Sequence, residues 1–287
     1  MEHLLLLTPN SYDFMSKPTS RSKIIIKQFP DGENYVRIPA QFHGKAVTVI
    51  HRCYPGQDRS LIQLLLILRT LKEGGASRVR AIVPYLPYAR QDKLFLKGEA
   101  LSSKIICNLL VKSGCDELIT FDCHFLKKEG TFNYGGLRIR NISLSKKILS
   151  HFKKRLYSPK IISPDEGASY LVAKEADWGV MQKMRGTYSK GKTIYRKPKV
   201  EVRFDVKGKD VVIIDDMIST GSTMLKAVAA CKKLGANSIR CGASHGLFLH
   251  GSLKRLKRAG AKEVIVSNSI KSTASKINIL DSLGGML

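Results

Sequence analysis

The sequence predicts an α/β protein of two tandem domains, residues 1–142 and 143–287, each a mainly parallel sheet flanked by helices. Three observations predict it. The length of 287 residues is near twice the roughly 150 residues of an average domain. Two segments about 160 residues apart carry the same order of signals. Within each, short β-branched runs alternate with helical periodicity, the pattern of a parallel sheet joined by right-handed crossovers.

The first copy, KAVTVIHRCYPGQDRSLIQLLLILRTLKEGGASRVRAIVPYLPY, starts at Lys45. The second, KDVVIIDDMISTGSTMLKAVAACKKLGANSIRCGASHGLF, starts at Lys209. Each reads as a β run, a turn-rich loop, a helix, a Gly-Ala stop and another apolar run. In parallel sheets, ligands bind beyond the carboxyl ends of the strands, so chemistry is expected in the loop after each first strand. After Ile50 that loop reads HRCYPGQDRS; after Ile214 it reads Asp215, Asp216, Met217, Ile218 and then Ser219-Thr220-Gly221-Ser222-Thr223, opening a helix.

Composition narrows the class. Hydrophobic residues are 43% and charged residues 25%, near ordinary globular usage, which excludes disordered, collagen-like and coiled-coil chains. The formal charge of +26 draws polyanions, nucleotides and acidic surfaces. Six scattered cysteines with no CxxC pair argue for buried thiols rather than a zinc ribbon or redox dithiol. The N-terminal MEHLLLLTPNS lacks the basic segment of a signal peptide, and no stretch reaches the ~18 apolar residues needed to cross a bilayer. The expected location is a reducing cytoplasm, with no membrane partner.

Only the second loop looks built for phosphate. Small residues let the backbone curl so that several N–H groups face one point, and a helix N-terminus adds partial positive charge. The hydroxyls of Ser219, Thr220, Ser222 and Thr223 can donate as well. The plain alternative is a Ser or Thr helix cap with an ordinary turn glycine. Two adjacent carboxylates ending an apolar run, VVIIDD, favour the phosphate reading, because such acids are costly unless they bind hydroxyls or a cation. Phosphate in the loop with a sugar diol on the acids describes a ribose 5-phosphate.

These residues resemble the phosphoribosyltransferase-like fold. FPDGE (Phe29 to Glu33), PYLPYARQDK (Pro84 to Lys93), FDCH (Phe121 to His124), SPDEG (Ser163 to Gly167) and IIDDMISTGSTM (Ile213 to Met224) narrow the resemblance to ribose-phosphate diphosphokinase. GEALSSK and HGLFLHG look most like archaeal members. The resemblance implies transfer of the β,γ-diphosphoryl group of ATP, with Mg²⁺, to the C1 hydroxyl of ribose 5-phosphate. It implies an ATP site of Phe29, Asp31, Gly32, Glu33, Arg90 and Gln91, with the FPDGE loop serving a neighbouring subunit of a dimer or higher homo-oligomer. Asp215, Asp216 and the loop of Ser219, Thr220, Gly221, Ser222 and Thr223 would hold ribose 5-phosphate. His124 and Asp165 would serve the metal, directly or through water. Lys183 would stabilise the transition state, and Arg185 that charge or the sugar phosphate, from a basic loop between Val180 and Lys199. With two tandem domains, the active site is expected between them.

Three departures stand out. Ala168 replaces a glycine of many members, Ser219 and Ser222 stand where Asp and Gly are common elsewhere, and the arginine-rich segment of bacterial forms after YARQDK is absent. Two rival readings remain. An ordinary phosphoribosyltransferase would use the same loop, yet has little need of the repeated N-terminal half. A nucleic-acid-binding module would use the basic runs KKILSHFKKR and LKRLKR, but no nucleic-acid motif accompanies them, which leaves RNA or DNA as a secondary affinity.

Overall fold

The computed structural model describes residues 2–15, 23–183, 200–201 and 205–286. They form two compact units, residues 1–142 together with 279–287, and residues 143–278. The first unit contains β1 (His3–Leu7), β2 (Ile25–Gln28), β3 (Asn34–Arg37), β4 (Ala46–Ile50), α1 (Gln57–Glu73), β5 (Arg78–Ile82), α2 (Ser102–Lys112), β6 (Glu117–Phe121), β7 (Gly130–Tyr134) and β8 (Leu137–Ile142). Its six-stranded sheet runs β1-β4-β5-β6-β8-β7, with β7 alone antiparallel, and β2 and β3 form a separate hairpin. The β-branched AVTVI run of β4 is buried from Val47 to Ile50, as a strand covered on both faces must be. Helix α1 lays Leu61, Leu64, Leu68 and Leu71 on that sheet at helical spacing.

The second unit contains α3 (Ser145–Lys153), β9 (Lys160–Ser163), β10 (Trp178–Val180), β11 (Gln182–Lys183), β12 (Val200–Glu201), β13 (Asp210–Ile218), α4 (Ser222–Lys233), β14 (Ser238–Gly246), α5 (Ser252–Ala259), β15 (Ala261–Ser267) and β16 (Ser275–Ile277). Its sheet, β10-β9-β13-β14-β15-β16, is parallel throughout. Helix α4 buries Met224, Ala227, Val228 and Cys231 against it.

The last nine residues, expected in the second domain, belong to the first unit. Residues 279–286 form short 3-10 turns rather than a strand, so they do not extend the second sheet, and their apolar Ile279 and Leu283 are fully buried. All six cysteines are reduced and buried, and burial pushes the thiols of Cys107, Cys115 and Cys231 up to about 12. Among the described residues no helix is long and apolar enough to cross a membrane.

Candidate active site

Strand β13 is longer than its apolar run suggests. Pairing with β14 continues past Ile214 through Asp215↔Ala243 to Ile218↔Gly246, so Asp215 and Asp216 lie inside the strand rather than at its end. Asp216 is buried, and its N–H donates to Asp215 Oδ1 at 2.9 Å. Burial raises the Asp215 carboxyl well above its usual range, and the charges of Asp216 and then Asp165 push it further the same way. Asp165 starts the 3-10 turn after β9, its carboxylate accepting from Gly167 N–H at 3.0 Å. The second unit thus gathers three carboxylates where the sequence separates them by some fifty residues. Among the described residues, no group of three or more His, Cys, Asp or Glu side chains forms a ready metal cage.

The Ser219–Thr223 loop follows directly. Gly221, at φ +73°, is the N-cap of α4, and no side chain caps that helix end. The ordinary capping role open to these hydroxyls is therefore not the one they play, and the first amides of α4 face outward without an intrahelical acceptor. Only glycine suits position 221: its conformation is left-handed, and an added Cβ would stand 2.8 Å from Ser252 Cβ.

The segment after β14 holds the loop from behind. Leu247 and Phe248 N–H donate to the Ile218 carbonyl at 3.0 and 3.1 Å, and Leu249 N–H and the buried Ser252 Oγ donate to the Ser219 carbonyl, both at 3.1 Å. Sequence reasoning singled out HGLFLHG as a resemblance but missed Ser252, which follows it. A serine opening a helix gives no sign that it reaches a carbonyl thirty-three residues earlier. Ala168 is buried outside the left-handed region, so its place in the turn does not require glycine.

Lys183 ends β11 and pairs with Val200 of β12 in an antiparallel ribbon. Arg185 lies outside the described residues.

In the first unit, Phe29, Asp31, Gly32 and Glu33 occupy the exposed tip of the β2–β3 hairpin. The tip is held by Phe29 N–H to the Glu33 carbonyl at 2.8 Å and by Glu33 N–H to Asp31 Oδ1 at 3.0 Å. Phe29 is 50% exposed and meets the Tyr35 ring edge-on. Between this hairpin and the start of α1 runs a groove of about 540 Å³. Arg90 is exposed on the loop after β5, while the Gln91 amide donates to the Lys93 carbonyl and to Glu99 at 2.9 and 3.3 Å. His124 sits in the turn after β6. Asn141, buried in β8, fixes this turn by accepting from Cys123 N–H at 2.9 Å and donating to the Leu126 and Lys128 carbonyls. Asn141 is a second residue that sequence reasoning missed, because an Asn within LRIRNI carries no local signal.

Comparison with known proteins decides among these readings. A family model described as the N-terminal domain of ribose phosphate pyrophosphokinase matches residues 16–114, and one described as a phosphoribosyl transferase domain matches residues 147–278. A ribose-phosphate pyrophosphokinase of Sulfurisphaera tokodaii is 35% identical over 264 residues, covering 90% of this chain and 88% of that one. The chain belongs to the ribose-phosphate pyrophosphokinase family. Another member, from Pyrococcus furiosus, is 36% identical over 267 residues, covering 93% of this chain and 92% of that one. A crystal structure of phosphoribosylpyrophosphate synthetase from Mycobacterium smegmatis has the same fold, with a TM-score of 0.79 at 24% identity over 96% of this chain and 94% of that one. The two family models span both halves, which disposes of the rival in which a lone phosphoribosyltransferase loop acts without its N-terminal partner.

Proposed function

We propose that this chain transfers the β,γ-diphosphoryl group of MgATP to the C1 hydroxyl of ribose 5-phosphate in the cytoplasm, giving phosphoribosyl diphosphate and AMP for nucleotide synthesis. The C1 oxygen bonds to the β-phosphorus, the bridge between the α- and β-phosphorus breaks, AMP leaves with the bridging oxygen, and the hydroxyl proton is released. The observation that carries this reading is the uncapped, hydroxyl-lined helix start at Gly221 following Asp215 and the buried Asp216. The 5-phosphate accepts from the amides and hydroxyls of the Ser219–Thr223 loop. Asp215 and Asp216 accept from the ring hydroxyls, which favours the charged carboxylates against the burial and like charge that raise Asp215.

Mg²⁺ suits this donor set, since it is commonly held by one or two carboxylates, with water and phosphate completing its shell. Asp165 and His124 would hold it, directly or through water. When bound, the ion offsets negative charge on the phosphate oxygens. Lys183 and Arg185 bring further positive charge to the transferring group. Arg90 and Gln91 bind the nucleotide, and the hairpin tip of Phe29, Asp31, Gly32 and Glu33 reads the base of a neighbouring copy, so the active form is a homo-oligomer.

Phosphorus NMR of a mixture of MgATP and ribose 5-phosphate tests donor, acceptor and bond together. AMP and phosphoribosyl diphosphate are expected in equal amounts; ADP, or free pyrophosphate without the sugar product, would overturn the reading. Lys183→Ala is expected to lose the bulk of turnover with near-normal ribose 5-phosphate binding. Sedimentation showing a fully active monomer would remove the shared nucleotide site.

A further inference from the structure

In each unit a set of cations pairs with carboxylates of that unit. Arg78, Arg80 and Arg138 converge on Glu117, Lys72 meets Asp116, and Lys160 meets Asp177. The basic run of α3 behaves likewise, with Lys153 on Glu175 and Arg155 on Glu263. One region departs from this pattern. From Met217 to Lys262 the chain has nine Lys and Arg and no Asp or Glu. Only Arg240 among these nine is buried and near a carboxylate, that of Glu263.

Seven of the others gather on α4 and α5, which pack side by side, and Lys262 is exposed on β15. Helix α5 turns Leu256 into the core and leaves Lys254, Arg255, Lys257 and Arg258 exposed. Lys232, in the last turn of α4, passes the end of α5, its Cδ 3.5 Å from where a Cβ would stand on Gly260. The two helix ends thereby bring like charges together. Helix dipoles offset part of the repulsion at the carboxyl ends, but Lys254 and Arg255 lie in the first turn of α5, where the dipole adds to it.

We propose that this face of α4 and α5, whose Lys and Arg form no ion pair among the described residues, binds the phosphate backbone of nucleic acid. Regularly spaced phosphates match a row of exposed Lys and Arg with no counter-charge bound among the described residues, and releasing their counterions drives such binding. An anionic membrane fits less well, because Leu256 is buried and Leu253 packs against the core, leaving α5 no apolar face to insert. Lys232, Lys257 and Arg258 sit at the helix ends opposite Gly221, so occupancy there leaves the Ser219–Thr223 loop open.

The test is fluorescence anisotropy of the full chain with a labelled 20-nucleotide single-stranded RNA and a duplex DNA of equal phosphate number, over a salt series, with phosphatidylserine vesicles as a third arm. A variant carrying K254Q, R255Q, K257Q and R258Q is compared with a charge-matched control carrying K104Q, K112Q, K174Q and K276Q. The α5 variant is expected to bind either nucleic acid at least tenfold more weakly and to keep its turnover. Its salt slope on RNA should flatten by about 0.7 for each phosphate it no longer neutralises. The control is expected to stay within about threefold of the native chain. The RNA and DNA arms show which nucleic acid the face prefers. No nucleic-acid binding at about 0.1 M salt, an equal weakening in the control, or binding to vesicles alone would each overturn the proposal.

Discussion

The loops after β4 and β13 occupy the same place in the two copies of the repeat, and they handle their polar groups in opposite ways. Counting from Lys45 and Lys209, His51 and Arg52 of the loop after β4 stand where the second copy has Asp215 and Asp216, inside β13 just before its loop. In the first copy His51 and Arg52 turn inward to partners from the same unit. His51 Nε2 donates to the Ser60 carbonyl at 2.8 Å, which leaves Nδ1 to accept from Thr8 Oγ1 at 3.0 Å. Arg52 pairs with Asp13, donates to the Asn10 carbonyl at 2.9 Å and lies 3.7 Å from the centre of the Phe14 ring. The cation is supplied by the chain itself. In the second copy the corresponding turn brings Asp165 toward Asp215 and Asp216, acid toward acid, and the helix start beside them is uncapped. The first copy joins a cation to an anion, whereas the second sets acids beside an uncapped helix start, where the proposed function places a ligand.

The sharpest way to break this comparison uses the two N-cap glycines. Gly221→Val drives a side chain into Ser252 and across the phosphate loop, and is expected to cut turnover by on the order of 100-fold or more, mainly through weakened ribose 5-phosphate binding. Gly56→Ala, at φ +76°, meets only the flexible Arg59 guanidinium at 3.3 Å; it should cost about 1–2 kcal/mol of stability and leave steady-state kinetics alone. If both substitutions damaged catalysis alike, the two loops would not differ in role.

Arg52→Ala should show the converse. Asp13 and the Asn10 carbonyl lose their partner and Phe14 its cover, for ~3 kcal/mol of stability by chemical denaturation. Ribose 5-phosphate affinity per folded molecule is expected to be unchanged.

His51 sharpens the comparison through pH. Burial lowers it from the ordinary 6.5 to about 4. Between those values the unfolded chain binds a proton that the folded chain does not, so stability is complete above pH 6.5 and falls as pH drops toward 4, by on the order of 3 kcal/mol. His51→Gln should flatten denaturation midpoints over that window. Smallest of the four, Ser252→Ala removes one hydrogen bond behind the phosphate loop, worth about 1 kcal/mol and hence a ~5-fold rise in KM for ribose 5-phosphate with little change in kcat.

Much of this was legible in the sequence where chemistry restricts residue type at close spacing. STGST after two acids reads as a phosphate loop because few other residues let backbone and hydroxyls converge, and FPDGE reads as a hairpin tip because Asp-Gly makes the turn. What sequence could not supply are contacts closed over distance. Arg52 looked like a loop arginine until Asp13 and Phe14 enclosed it. Ser252 and Asn141 each act on backbone that another strand delivers. The length of β13 also escaped, since an aspartate pair argues locally against continued strand while pairing with β14 extends it.

The most direct measurement is an amide NMR titration of the full chain with ribose 5-phosphate. The amides of residues 220 to 223 should shift first and saturate together, and those of residues 51 to 56 should hold still. Shifts centred on the His51–Gly56 loop, with Gly221 unmoved at saturating sugar phosphate, would contradict the assignment of the two loops.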